Sequence, residues 1–294
     1  MSADRFPGTV ASVRRALERT FVEEDPRDAA WRGRVGTARM SVRVDVRADP
    51  ADEAQAIVVA TSEVLPVPRF TGPLAAAVLE EQDGFVLGRL RHDGSALVAE
   101  QTILGGHTLA QEEVVTAVWT VGWLAANEGA RLHMRVGGMD PGEPRTPEVD
   151  VRRGAEERVA VVRERAARWL EAHGFVDDPV WGLHGAAGTT RVFVSAMHHL
   201  ERSTVIVVAA PVLIDADLTD ELALDACAIA DQGPVGRFAY TAARRELWFE
   251  HAILGDDLQD GELMHAVAAV AATADAVDEG LAETHGGRRY LDLA

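Results

Sequence analysis

The chain repeats itself. Val44 and Val46 are matched 148 positions later by Val192 and Val194, and Ile57, Val58 and Val59 by Val205, Ile206 and Val207. At the same separation Val64 and Leu65 meet Val212 and Leu213, Leu74 meets Leu222, and Gly88-Arg89 meets Gly236-Arg237. Beyond that pair the second copy gains two residues, so Ile103, Leu104 and Gly105 correspond to Ile253, Leu254 and Gly255. After one compensating residue, Leu109, Glu113, Val118 and Val121 correspond to Leu258, Glu262, Val267 and Val270. Apolar positions kept in step over such a length predict one domain present twice, because a repeat carries its whole supersecondary pattern with it. The 294 residues are enough for two ordinary domains. The expected division is 1–136 for the first copy, 155–294 for the second, and a linker at 137–154. That stretch holds Gly137-Gly138, Pro141, Pro144 and Pro147, and its composition shift opens at His133.

Each copy reads in one order of elements. Val10, Val13, Leu17 and Phe21 have helical spacing and predict a first helix over about 9–22, with a counterpart over about 155–173 stopped by Gly174. Two strands follow. Met40, Val42, Val44 and Val46 alternate as in a half-buried strand, whereas the next run is continuously apolar as in a central one. Turns are expected at Asp49-Pro50 and over 198–203. A second helix starts at Pro73, and its counterpart is capped by Asp217 or Thr219. Asp93-Gly94 then predicts a hairpin between Phe85, Leu87, Leu90 and Leu97, Val98, Ile103. A long helix closes each unit, over about 109–128 and 260–279. Trp119 and Trp123 fall four residues apart on the first of these, where the second has Ala268 and Ala272. Both indoles are expected to be buried, either joining the copies or filling the first core, at a cost of about 3–5 kcal/mol for replacement by Ala.

Composition removes several classes of function. The 47 acidic residues outnumber 29 basic ones for a net charge of -18, which repels nucleic acid and anionic membranes. Every basic residue is Arg; without a single Lys there is no Walker-A lysine, Schiff-base nucleophile or kinase-type phosphate lysine. One cysteine, Cys227, excludes an internal disulfide and multi-cysteine metal sites. The longest apolar run, from Val205 to Ile214, is too short to span a bilayer and contains Pro211. No secretory apolar segment follows Met1, so a cytoplasmic location is expected.

Candidate sites are equally sparse. His198 and His199 are adjacent on an extended stretch, so their side chains leave on opposite faces and do not share a metal. His173, His184, His265 and His285 lack metal-ligand spacing. Asp215, Asp217, Asp220 and Glu221 lack the central Gly and terminal Glu of a calcium loop and read as carboxylates at a helix start. No GxSxG nucleophile motif occurs, and Gly105-Gly106-His107 is not a phosphate cradle. No metal, no cofactor, no catalytic residue and no enzyme are expected.

The hairpin opening Phe85-Val86-Leu87-Gly88-Arg89 and its counterpart Pro234-Val235-Gly236-Arg237-Phe238 lead through the Ile-Leu-Gly strand ends into an amphipathic closing helix. In this order the chain resembles the type III secretion chaperones and their YbjN relatives, in their tandem, peptide-binding form. The resemblance implies an α+β fold of two α-β-β-α-β-β-α domains. Since those relatives act as two-fold dimers, it further implies an intramolecular pseudo-dimer in a monomeric chain. It also implies a non-enzymatic chaperone or adaptor with a protein or peptide client; a secretion role does not carry over. A small open sheet captures an extended segment along its edge and along a helix groove. The candidate contact residues are Val13, Leu17, Val42, Val44, Trp169 and Phe193, for each of which ordinary core is the competing reading. A module that binds a folded partner is the alternative function, and an enzyme with an undisplayed carboxylate pair the third.

Overall fold

The computed structural model describes residues 6–18, 23–25, 29–48, 54–105, 109–136, 155–178, 182–199, 203–233, 235–256 and 258–293. Phe21, the Asp49-Pro50 turn, Gly106-His107 and the expected linker at 137–154 lie outside these residues. The fold is mixed α+β, with two antiparallel sheets and six helices among the described residues. The first half runs α1 (Pro7–Leu17), β1 (Glu23–Asp25), β2 (Ala30–Val35), β3 (Ala38–Ala48), β4 (Ala54–Pro66), α2 (Gly72–Gln82), β5 (Arg89–His92), β6 (Ala96–Gly105) and α3 (Gln111–Val136). The second runs α4 (Ala155–Glu171), β7 (Val176–Asp178), β8 (Gly182–Ala187), β9 (Thr190–His199), β10 (Ser203–Leu213), α5 (Asp220–Gln232), β11 (Arg237–Thr241), β12 (Glu246–Leu254) and α6 (Asp260–His285). A short 3-10 turn, Tyr290–Leu293, ends the chain. No described helix is long and apolar enough to cross a membrane.

The expected α-β-β-α-β-β-α order is too short by two strands in each half, because β1–β2 and β7–β8 precede the pair read from the sequence. They escaped pattern reading for physical reasons. β1 and β7 have three residues each, and β2 interposes Arg32, Gly33 and Arg34 between its buried Trp31 and Val35. The closing helix α3 also continues through His133 to Val136, where the composition suggested a linker.

Strand order is β1-β2-β3-β4-β6-β5 in one sheet and β7-β8-β9-β10-β12-β11 in the other. β4 pairs β6 with a bulge between Glu63 and Leu65, and β10 pairs β12 with a bulge between Pro211 and Leu213, at the 148-residue separation. The register of the strand before them corrects the sequence alignment. Val44 pairs with Val58, but Ile206 pairs with Ala196 and not with Val192. The β2–β3 hairpin turns on Gly36-Thr37 and the β8–β9 hairpin on Gly188-Thr189, a separation of 152. Gly36 and Gly188 have φ of 58° and 59°, the left-handed conformation that such two-residue turns demand. Val44 and Val192 thus lie on corresponding strands four residues out of step.

The chain forms two compact units, one of Met1–Phe70 with Leu87–Gly138 and the other of Thr71–Val86 with Met139–Ala294. Helix α2 falls within the second unit. In the first unit α3 packs across β2, β3, β4 and β6, and α1 packs on α3. The buried stripe of α3 includes Val114, Val118, Val121 and Leu124. Trp119, about 100° around the helix from Val118, points away from it and is 52% exposed. Trp123 is half-buried. The expectation that both indoles are buried therefore fails for Trp119. In the second unit α4 and α6 pack on β9 and β10, while α2 packs on α5 and β11.

Candidate functional site

Helix α4 buries Val162, Ala166 and Leu170 at four-residue spacing against β9. One further face of the same helix remains open. Val159, Ala160, Arg163, Glu164, Ala167 and Glu171 line a groove of about 670 Å³, whose other wall includes Asp177 of β7 and His198 of β9. The chain leaves α4 through Gly174, and Phe175 returns its N–H to the Leu170 carbonyl at 3.1 Å. The Phe175 ring fills the space where a side chain at Gly185 of β8 would lie. That contact sets β7 beside α4, and Arg163 closes the end by donating to both Asp177 oxygens at 2.6 and 2.8 Å.

β7 is an edge strand. Among the described residues the only strand it pairs with is β8, at three positions. Val176 on it is exposed. The opposite edge of the same sheet, β11, is covered differently, since α2 packs on it. The groove thus combines an apolar floor of Val159, Ala160 and Ala167 with the edge strand of a sheet, the two elements that strand addition uses. Four carboxylates line it, Glu156, Glu164, Glu171 and Asp177, against the guanidinium groups of Arg163 and Arg168. His198 Nε2, on the groove wall, is buried without a hydrogen-bond partner among the described residues, as are Nε and one terminal nitrogen of Arg158 on α4. Burial, helped by the neighbouring His198, holds the His199 imidazole down to about 4.

The residues selected from the sequence divide into two sets. Val13, Leu17, Val42 and Val44 are all at most 4% exposed inside the first unit. Trp169 and Phe193 are half-buried but are not brought together. Trp169 belongs to α4 and stacks on His173 at 4.0 Å. Phe193 leaves β9 on the face opposite Val192 and Val194, beside His184, Trp248 and Tyr290. The groove residues themselves went unselected. Their signal is the outward flank of an amphipathic helix followed by Gly174 and a three-residue strand, a pattern too short to mark an edge.

Among the described residues no three His, Cys, Asp or Glu side chains converge to hold a metal. His285 pairs with Asp225 at 2.8 Å, and His173 bonds the carbonyl of Trp169. Burial, with Asp231 adding to it, pushes the Cys227 thiol up to about 12, which leaves it a poor nucleophile at neutral pH.

Residues 150–293 match the family model described as T3SS (YopN, CesT) and YbjN peptide-binding chaperone 1. No curated protein sequence matches the chain. Among solved structures, the di-domain ARO/CYC BexL from the BE-7585A biosynthetic pathway is 12% identical. The match covers 96% of this chain and 95% of that one at a TM-score of 0.14, too slight an overlap to carry an argument.

Proposed function

From the match of residues 150–293 to the family model of type III secretion and YbjN peptide-binding chaperones, we propose that the protein is a non-enzymatic chaperone or adaptor that holds an extended client segment in the groove between α4 and β7. The observation that carries the reading is the juxtaposition of an edge strand with an apolar helix flank. Backbone hydrogen bonds to β7 supply affinity, and alternate side chains of the client enter the floor over Val159, Ala160 and Ala167. The excess of carboxylates on the walls favours a segment with basic residues between its apolar ones.

The same proposal treats the two halves as copies of one domain forming an intramolecular pseudo-dimer in a monomeric, cytoplasmic chain. It is supported by the shared strand order, the matching bulges and the matching Gly-Thr turns. The test is fluorescence anisotropy of a labelled twelve-residue peptide alternating Leu with Arg and Ser, titrated with the full chain. Binding should weaken at least tenfold in Ala167→Trp, which fills the floor, and in Val159→Asp, which charges it. Binding unchanged in both variants, or absent from the parent chain, overturns the proposal. A second reading, a module for a folded partner, draws on exposed Trp119 on α3; loss of a folded partner from Trp119→Ala with peptide binding intact would favour it.

A further inference from the structure

The covering of the β11 edge contains a contact between corresponding residues. Thr71-Gly72-Pro73-Leu74 starts α2, and Thr219-Asp220-Glu221-Leu222 starts α5, 148 positions later. In the second unit these two helix starts meet. A β-carbon added at Gly72 would lie within 2.6 Å of Asp220 Cβ, Cγ and Oδ2, so the Asp220 side chain already occupies that space. The rest of α2 is fixed to the same surface. Gln82 Nε2 donates to the Phe238 carbonyl at 2.8 Å, Thr241 Oγ1 donates to Asp83, and Arg237 donates to the Phe85 carbonyl.

In an isologous pairing each surface meets its own copy, so a residue on the two-fold axis touches its counterpart. Such a residue must be small in both copies or differ between them. Gly72 and Asp220 differ. Resting on the reading of the halves as copies, we infer that Gly72 and Asp220 form an axial lock: the α5–β11 face of the second half accepts α2 of the first half and rejects a second copy of itself. Two α5 helices in this arrangement would place two Asp220 side chains in space for one, with like charges adjacent. Large against small at this position is available to a fused pair and not to a homodimer, and it selects the intramolecular partner by excluding the alternative.

The test exchanges the two residues in the full chain. Gly72→Asp should lower the thermal midpoint by about 5 °C or more, as overpacking at a close contact does, or prevent folding. Asp220→Gly only opens space, and it should fold. The double variant Gly72→Asp with Asp220→Gly reverses the lock, and on a two-fold axis it should return the midpoint to within about 2 °C of the parent. In the double variant the first-turn carboxylate that α5 loses is gained by α2, and Thr219 still caps α5, so the helix-terminus contributions stay balanced. A double variant as unstable as Gly72→Asp, or a Gly72→Asp variant as stable as the parent, overturns the lock. Peptide anisotropy on the same proteins separates the two ideas: rescue without peptide binding sinks the chaperone reading alone, and binding without rescue sinks the lock alone.

Discussion

Two buried ion pairs at corresponding hairpin positions give a paired perturbation. In the first unit Glu100 on β6 accepts from Arg89 Nε at 3.0 Å and from Arg91 Nε at 2.8 Å, with its side chain 4% exposed. In the second unit Glu250 on β12 accepts from Arg237 at 3.0 Å, and the position of Arg91 is taken by Ala239. One guanidinium is missing, and the balance reverses. Burial is the largest influence on Glu100 and pushes its carboxyl up, but Arg89 and Arg91 together outweigh it and hold the group below the usual carboxylate range. Burial is also the largest influence on Glu250; Arg237 alone does not offset it, and Asp83 adds to it, so this carboxyl is raised. Removing the charge by Glu100→Gln should therefore cost about 3–5 kcal/mol, the usual loss on breaking a buried pair, whereas Glu250→Gln removes a charge that burial already disfavours but leaves the buried Arg237 guanidinium without its carboxylate, so it should cost less, about 1–3 kcal/mol. Hydrogen exchange with mass spectrometry reads both in place. Amides of 89–105 should lose about two to four orders of magnitude of protection in the first variant, and those of 237–254 about one to two in the second. The pH dependences oppose each other as well. Stability from Glu100 is present above the ordinary carboxylate pKa and lost as pH falls through its lowered value, while the raised Glu250 makes the fold less stable as pH rises through its own. Equal losses of protection in the two variants would refute the reasoning.

Other expectations are simpler to check. Trp119→Ala should change stability by no more than about 0.5 kcal/mol, as for other exposed positions, and a loss above 2 kcal/mol in urea unfolding would show a buried role. Leu17→Ala, at a site 1% exposed, should cost about 2–5 kcal/mol while leaving peptide affinity at the α4 groove unchanged; a selective loss of affinity would restore Leu17 as a contact residue. His199, held at about 4 against an ordinary 6.5, refuses a proton that the unfolded chain accepts, so stability should fall between pH 6.5 and 4 by at most about 3 kcal/mol. His199→Gln should flatten that slope, and an unchanged slope would assign the acid sensitivity elsewhere.

Strong periodicity was legible in the sequence, and short elements were not. The continuous runs of β4 and β10, the Asp93-Gly94 turn and the Thr219 cap all stand where residue chemistry places them. Asp93 Oδ1 accepts from the Ser95 and Ala96 amides at 2.9 and 2.8 Å, and Thr219 Oγ1 from Leu222 N at 3.1 Å. The four-residue slip at Val44 and Val192 has a definite cause. In an alternating strand every second residue is Val or an equivalent, so an alignment displaced by an even number still matches apolar with apolar. Only the turn fixes the register, here through the Gly-Thr pairs at 36–37 and 188–189. The burial expected of Trp119 failed, since that indole is 52% exposed, while the large-against-small contact of Gly72 and Asp220 has no signal in composition or period.

The candidate groove is not simply present twice. α4 has 17 residues and α1 has 11, so the flank beside α4 runs about 26 Å and that beside α1 about 16 Å. At about 3.3 Å per extended residue, α4 guides a segment of about eight residues and α1 one of about five. The shorter helix is also spent on the core: Val13 and Leu17 are 0% and 1% exposed, and α1 lies against α3. Five residues of strand addition leave few pockets to offset the ordering of the segment. The chain should accordingly hold one client segment, at the second half. Titrating the full chain with the twelve-residue peptide in a calorimeter should give a stoichiometry of one, reduced to no measurable binding when Ala167→Trp and Val159→Asp are combined. Two equivalent sites, or one site that survives both substitutions, would place capture elsewhere and return the first half to consideration.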